Sequence, residues 1–102
     1  MADVVIRVRC DIELAPTARK SGYGSGIRPN HFIRELDYFV IGEVHFEGQE
    51  VLLPGEHSTA RVSFVGDEPF ADLVRPGFEW DICDGPRSVI GWGRVLEVLP
   101  DA

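Results

Sequence analysis

The chain has 102 residues, of which 44% are hydrophobic and 26% are charged, and its formal net charge is −7. This length fits one domain rather than two, and this composition excludes a disordered chain. The negative charge disfavours non-specific binding to nucleic acid or to an anionic membrane, because the long-range field repels both.

The first predicted strand covers residues 4–14, where apolar and polar residues alternate as in a strand with one buried face. Its apolar face consists of Val4, Ile6, Val8, Cys10, Ile12 and Leu14. Residues 15–30 then hold three glycines and two prolines, so we predict a long loop with little regular structure. Loops of this length often carry function.

Two further strands are predicted next, a short one from His31 to Arg34 and a longer one over about residues 37–47. The longer strand contains the run DYFVIG, with four consecutive apolar residues. One of its faces holds Tyr38, Val40, Gly42, Val44 and Phe46, and the other holds Phe39, Ile41, Glu43, His45 and Glu47. The second face becomes polar at its far end, which argues against its being core along its whole length. Two interpretations stay open for its apolar end. Either the loop 15–30 covers Phe39 and Ile41, or both are exposed to a partner.

The second half of the chain again alternates with a period of two. EGQE and the Pro54-Gly55 pair predict turns, the latter of type II, in which glycine supplies the positive φ. Strands are predicted at residues 58–65, 78–83 and 88–99. The segment GDEPFADLVRPG is predicted to be irregular, and no window of ten or more residues has a sustained helical period.

Six or seven strands joined by Gly/Pro turns predict an antiparallel barrel or sandwich. A closed barrel is favoured because closure removes exposed strand edges. Gly91 and Gly93 lie two residues apart on one face of the last strand. Glycines placed in this way allow the sharp curvature or the close backbone contact of a small barrel.

The N-terminal residues MADVVIRVRC lack the basic start and the continuous apolar stretch of a signal peptide. No apolar run approaches the roughly 20 residues that a membrane helix requires. Cys10 and Cys83 are too few for a disulfide scaffold, so we expect two reduced thiols. We therefore predict a cytoplasmic protein that forms a single domain over residues 1–102 and does not bind a membrane.

Three segments together carry a resemblance to a known family. ARKSGYGSGIRPNHFIR is similar to a pattern of Gly-Gly-Arg, an aromatic/Gly stretch and Tyr-Arg-Pro-Gln-Phe-Tyr-Phe-Arg. EGQEVLLPGEH resembles a Glu-Gly…Met-Pro-Gly-Asp-Asn turn, and DGPRSVIGWGRV resembles Glu-Gly-Gly-Arg-Thr-Val-Gly-Ala-Gly-Val. In this order and at roughly this spacing, these patterns are those of the third, C-terminal domain of bacterial elongation factor Tu. The resemblance spans about residues 4–99 and implies a six-stranded antiparallel closed β-barrel.

The resemblance also implies possible partners. In the family, this domain packs on the GTPase domain and contacts the T-arm backbone of aminoacyl-tRNA. By resemblance, Asn30 and Asp84 lie on the face toward the GTPase domain. The basic residues that could meet tRNA phosphates are Lys20, Arg28, Arg34 and Arg87.

Departures from the family pattern point to a changed role. The phosphate-binding loop Gly-x-x-x-x-Gly-Lys-Ser/Thr is absent from the sequence, so we expect no GTP binding by this chain. The family's polar Thr-Thr-Asp-Val-Thr-Gly stretch is replaced by the longer, apolar ELDYFVIG. After this replacement, Phe39 and Ile41 either lie beneath the loop 15–30 or face a partner that the full-length factor does not use. The initiator Met and the ending LPDA favour a free-standing relative over a fragment of a translation GTPase.

Catalytic and metal signatures are weak. His31, His45 and His57 are predicted to be polar surface residues, and no Ser or Cys lies in a recognisable nucleophile elbow. His45 and Glu47 share a strand face, but two neighbouring ligands do not make a metal site. We therefore expect no enzyme, no cofactor and no metal.

The sequence thus predicts an elongation factor Tu domain III-like module for protein–protein binding or self-association, linked to translation. Its predicted partner-binding residues are Tyr38, Phe39, Ile41, Asn30 and Asp84. The alternative is a tRNA-binding module that uses the four basic residues named above. A further interpretation of the arginines is that they tie the long loop to the barrel.

Overall fold

The computed structural model describes residues 3–86 and 88–100. Eight strands and one helix lie within these residues. In chain order they are β1 (Val4–Leu14), β2 (Tyr23–Gly24), β3 (Asn30–Ile33), β4 (Tyr38–Phe46), β5 (Val51–Leu52), β6 (His57–Gly66), α1 (Glu68–Leu73), β7 (Glu79–Cys83) and β8 (Val89–Val98).

Six strands form a closed antiparallel barrel in the order β1-β6-β4-β3-β7-β8, and β8 returns to pair with β1. The predicted fold class, a six-stranded antiparallel closed β-barrel, is therefore confirmed. The strands β2 and β5 form a separate two-stranded sheet. This small sheet joins the long loop 15–30 to the segment that follows β4.

Alternation along each strand fills the barrel interior. On β1, Val8 and Cys10 are completely buried, whereas Arg7, which precedes Val8, is exposed on the outer face. On β4, Val40 and Val44 are buried, as the predicted faces require. Complete burial of one such aliphatic side chain stabilises a fold by roughly 1.5–3 kcal/mol.

Aromatic rings pack edge to face at the centre of the core. The Phe64 ring lies 5.2 Å from Trp80 and 5.0 Å from Phe70, measured between ring centroids. Gly93 on β8 pairs with Trp80 on β7, and a Cβ atom at Gly93 would collide with the indole ring. A Cβ atom at Gly91 would meet the backbone of Glu13. The predicted close contacts at these two glycines are therefore confirmed.

One predicted irregular segment contains a helix, so that prediction is wrong for residues 68–73. The Asp67 carboxylate caps α1 by accepting a hydrogen bond from the Phe70 N–H at 3.1 Å. Phe70 is completely buried. A side-chain cap and one buried ring thus hold a helix that is too short to show a helical period.

The long loop and the Pro-Gly turn match their predictions more closely. Loop residues 15–30 are largely irregular, apart from β2 and an isolated bridge between Ile27 and Val44. At the turn, the Glu56 N–H donates to the Leu53 carbonyl oxygen at 3.0 Å, and Gly55 has φ of 81°. Positive φ at this position is what a type II turn requires.

Candidate partner-binding surface

Four exposed apolar side chains lie next to one another on the outer face of the barrel. Val65 on β6 pairs with Val5 on β1 and with Ile41 on β4, and Phe39 lies two residues from Ile41. Their exposed fractions run from 41% for Phe39 to 65% for Ile41. We call Val5, Phe39, Ile41 and Val65 the outer apolar strip. Phe32 on β3 extends it, with its ring centroid 5.2 Å from that of Phe39.

The long loop does not cover the outer apolar strip. It meets β4 further along, where Val44 exchanges backbone hydrogen bonds with Gly26 and Ile27. Of the two interpretations of DYFVIG, coverage by the loop is therefore wrong. The exposed face of Phe39 and Ile41 is a property of β4 itself, because its inward positions are already filled by Val40, Gly42 and Val44.

The same outer face becomes charged toward the other end of β4, as predicted. Glu47 accepts hydrogen bonds from Arg9 at 2.8 Å and from Arg61 at 3.4 Å. Glu43 pairs with Arg28 and with His45. Hydrogen bonds from His45 and Arg28 lower the pKa of Glu43, and one from Arg9 lowers that of Glu47. The strip therefore has a charged border on this side.

Tyr38, a predicted partner-binding residue, is half-buried and belongs to the support of α1. Its hydroxyl donates to Asp67 Oδ1 at 2.6 Å, on the carboxylate that caps the helix. This hydrogen bond lowers the pKa of Asp67 and raises the pKa of Tyr38 to about 12. Tyr38 thus holds Asp67 in place and packs against the core, whereas Phe39 is exposed.

Asn30 and Asp84 are both exposed and lie close together at the end of β7. Asn30 pairs with Ile41 on one side and with Cys83 on the other, and Asp84 follows Cys83 directly. The Asp84 carboxylate accepts a hydrogen bond from the Tyr23 hydroxyl at 2.9 Å. Asn30 therefore adjoins the outer apolar strip, whereas Asp84 fastens the long loop to the end of β7.

Two of the predicted phosphate-binding residues that the structure describes are paired with carboxylates. Arg28 forms an ion pair with Glu43 at 2.9 Å, and Arg34 forms one with Asp81 at 3.4 Å. Lys20 is exposed on the long loop. Arg87 lies outside the described residues.

The loop's other arginine is also engaged. Arg19 donates to the Gly22 carbonyl oxygen at 2.8 Å, and its guanidinium lies 4.2 Å from the centre of the Tyr23 ring. These Arg19 contacts lie within the loop, whereas the ion pair of Arg28 with Glu43 on β4 agrees with the interpretation that arginines tie the loop to the barrel.

His31 corrects a sequence prediction, because it is completely buried rather than on the surface. The Trp80 N–H donates to its Nδ1 at 2.9 Å, and its Nε2 bonds to the Gly42 carbonyl oxygen at 3.0 Å. Burial lowers the pKa of His31 to about 4. The signal for this position was available, since His31 alternates in phase with the buried Ile33.

No family model matches this chain. Within residues 3–86 and 88–100, no three side chains of His, Cys, Asp or Glu come together as metal ligands. The same part of the chain has no helix long and apolar enough to cross a membrane. The described surface carries an apolar strip with charged residues along its border.

Proposed function

We propose that this protein is a non-enzymatic, cytoplasmic binding module that docks on another protein through the outer apolar strip. The supporting observation is the grouping of Val5, Phe39, Ile41 and Val65 on adjacent strands, each at least 41% exposed. Contiguous exposed apolar patches on folded domains mark interaction sites. An apolar centre with a charged rim is also the usual anatomy of a protein interface.

A role in translation is part of the proposal and rests on the resemblance to the third domain of elongation factor Tu. The arrangement of Arg28 and Arg34 favours a protein partner over tRNA. Both guanidinium groups already face carboxylates, Glu43 and Asp81, which compete with phosphate for them. An RNA-binding module would instead show an affinity for tRNA that depends on salt and weakens when Lys20, Arg28, Arg34 and Arg87 become alanine.

Affinity capture from a native lysate of the source cells tests the proposal, with RNase-treated and untreated arms. The bait proteins are wild type, the double variant Phe39→Glu/Ile41→Lys and the control Val89→Lys. Val89 is a matched control because it is a strand residue, 42% exposed, outside the strip.

We expect wild type and the control to capture the same protein in both arms, the untagged chain itself included, and the double variant to lose it. Capture that survives in the double variant, or that disappears with RNase, would overturn the proposal. Circular dichroism of each bait separates loss of binding from loss of fold.

A further inference from the structure

The side chains on either side of β6 have a symmetry that fits a second copy of this chain. Val65 pairs with Val5 on β1 and with Ile41 on β4, so apolar residues flank it equally. Two residues earlier, Ser63 pairs with Arg7 on β1 and with Glu43 on β4. At these two positions the surface around β6 is symmetric in apolar character and opposite in charge, whereas at the next outward position Arg61 lies between Arg9 and His45.

We propose that Val5, Ile41 and Val65 of the outer apolar strip bind the same three residues of a second copy, about a two-fold axis that runs parallel to β6 and midway between the two copies. This arrangement places Arg7 of each copy opposite Glu43 of the other. The inference rests on the proposed function, since it names the protein that the strip binds.

The geometry follows from the spacing of strands. Neighbouring strands lie about 4.8 Å apart, so Val5 and Ile41 are displaced by about that distance to opposite sides of Val65. A two-fold rotation about an axis parallel to β6 and midway between the copies places β1 of one copy over β4 of the other. Val5 then meets the second copy's Ile41, and Arg7 meets its Glu43. Aligned sheets pack about 10 Å apart, a gap that two side chains fill from opposite faces.

The charges of Arg7 and Glu43 support this partner. Arg7 is exposed and, like Arg19, Arg75 and Arg94, forms no ion pair with any residue of the described chain. Its cross-strand neighbour on β6 is Ser63, which carries no charge. Glu43 keeps a side-chain exposure of 33% beside Arg28 and His45. Its carboxylate has lone pairs to accept a further donor.

Closure of the barrel excludes one mode of binding, the addition of a partner's strand to an open sheet edge. Every barrel strand is hydrogen-bonded on both sides, so a partner cannot add a strand to the barrel and must contact outward side chains. A two-fold contact uses each of these side chains twice, once on each copy. The strip is small for a stable interface, so we expect a Kd on the order of 10 µM.

Charge reversal tests the arrangement, with sedimentation of wild type, Arg7→Glu, Glu43→Arg and an equimolar mixture of the two variants. Each variant alone places two like charges in each of the two contacts, so we expect its dimer to weaken about tenfold or more. In the mixture, both contacts again join opposite charges. We therefore expect the mixture to form heterodimers about as tightly as wild type dimerises.

The mixture is informative because it cannot restore the intramolecular pair of Arg28 with Glu43, so rescue reports a contact between chains. Arg75→Glu is the control, because Arg75 is exposed and lies in the loop after α1. It should leave the dimer unchanged.

Two results would overturn the inference. One is a wild type that stays monomeric up to about 1 mM. The other is a mixture that associates no better than the separate variants. If the monomeric wild type still captures a different protein through the strip, the dimer is excluded and the proposed function stands. If strip variants change neither self-association nor capture, both proposals fail.

Discussion

Trp80 and His31 are joined by a hydrogen bond inside the barrel, in which the indole N–H donates to Nδ1 across 2.9 Å. An indole N–H is a donor only, so Nδ1 is the accepting nitrogen of the imidazole. Nε2 therefore carries the proton and donates it to the Gly42 carbonyl oxygen at 3.0 Å. The fold thus selects one neutral tautomer of His31.

This selection predicts a stability that depends on pH. Burial lowers the pKa of His31 from its ordinary value of 6.5 to about 4. Below pH 6.5 the unfolded chain therefore binds a proton at His31 that the folded chain does not bind. The stability that the neutral His31 contributes is complete above pH 6.5. That contribution is lost as the pH falls from about 6.5 toward 4, by up to about 3 kcal/mol in the free energy of unfolding.

Urea unfolding between pH 7 and pH 5 checks this prediction, because carboxylates titrate mainly below this range. We expect His31→Gln to be less stable at pH 7 but to show a flatter dependence on pH. His57→Gln, at an exposed residue, should keep the wild-type slope. Equal slopes for wild type and His31→Gln would contradict a buried neutral imidazole.

The helix cap at Asp67 should contribute to thermal stability. Asp67→Ala removes the acceptor for both the Phe70 N–H and the Tyr38 hydroxyl, so we expect the Tm to fall by about 4–8 °C. Tyr38→Phe removes one of these bonds and should have a smaller effect. Asp72→Ala, at an exposed residue of the same helix, serves as the control in thermal unfolding. A Tm for Asp67→Ala that matches the control would show that the cap does not hold α1.

Gly93 should tolerate no side chain. A Cβ atom there collides with the Trp80 ring, so we expect Gly93→Ala to lower the free energy of unfolding by about 1–3 kcal/mol. Gly24→Ala is the matched control, since the nearest atom to its added Cβ would be 3.9 Å away. Denaturant unfolding followed by tryptophan fluorescence compares the two. Equal stabilities would mean that β7 and β8 separate easily.

Both cysteines should be unreactive in the folded protein. Cys10 and Cys83 are free and buried, and the thiolate is the reactive form. Burial, with the charge of Asp11, raises the pKa of Cys10 to about 12, and burial also raises the pKa of Cys83. We expect a thiol-specific disulfide reagent at neutral pH to label neither quickly, and both in urea. Rapid labelling without denaturant would contradict this picture.

Much of the fold was predictable from local alternation. Val8 and Cys10 on β1, like Val40 and Val44 on β4, are buried where a period of two places them. Closure of the barrel was predictable from the glycines on one face of the last strand and from the fact that closure removes exposed strand edges. Both features depend on residues close together in the chain, so they can be predicted from the sequence alone.

The features that sequence reasoning missed depend on distant residues. The helix α1 forms because Phe70 finds a pocket beside Phe64, not because its own six residues favour helix strongly. His31 is acceptable in the core only because Gly42 on the neighbouring strand and Trp80, 49 positions along the chain, satisfy both nitrogens. The exposure of Ile41 depends on where the loop 15–30 meets β4. For the candidate surface, the sequence indicated Phe39 and Ile41 but not their neighbours Val5 and Val65.

The seam between β1 and β8 has a kinetic consequence. Val8 pairs with Val98, ninety positions along the chain, so the seam can close only after most of the polypeptide has been ordered. During synthesis, β1 leaves the ribosome long before β8 and has one unpaired edge until β8 arrives. An unpaired edge is the state in which strands associate with other chains. The interval between the emergence of β1 and of β8 is therefore the period in which a nascent chain is most exposed to misassembly.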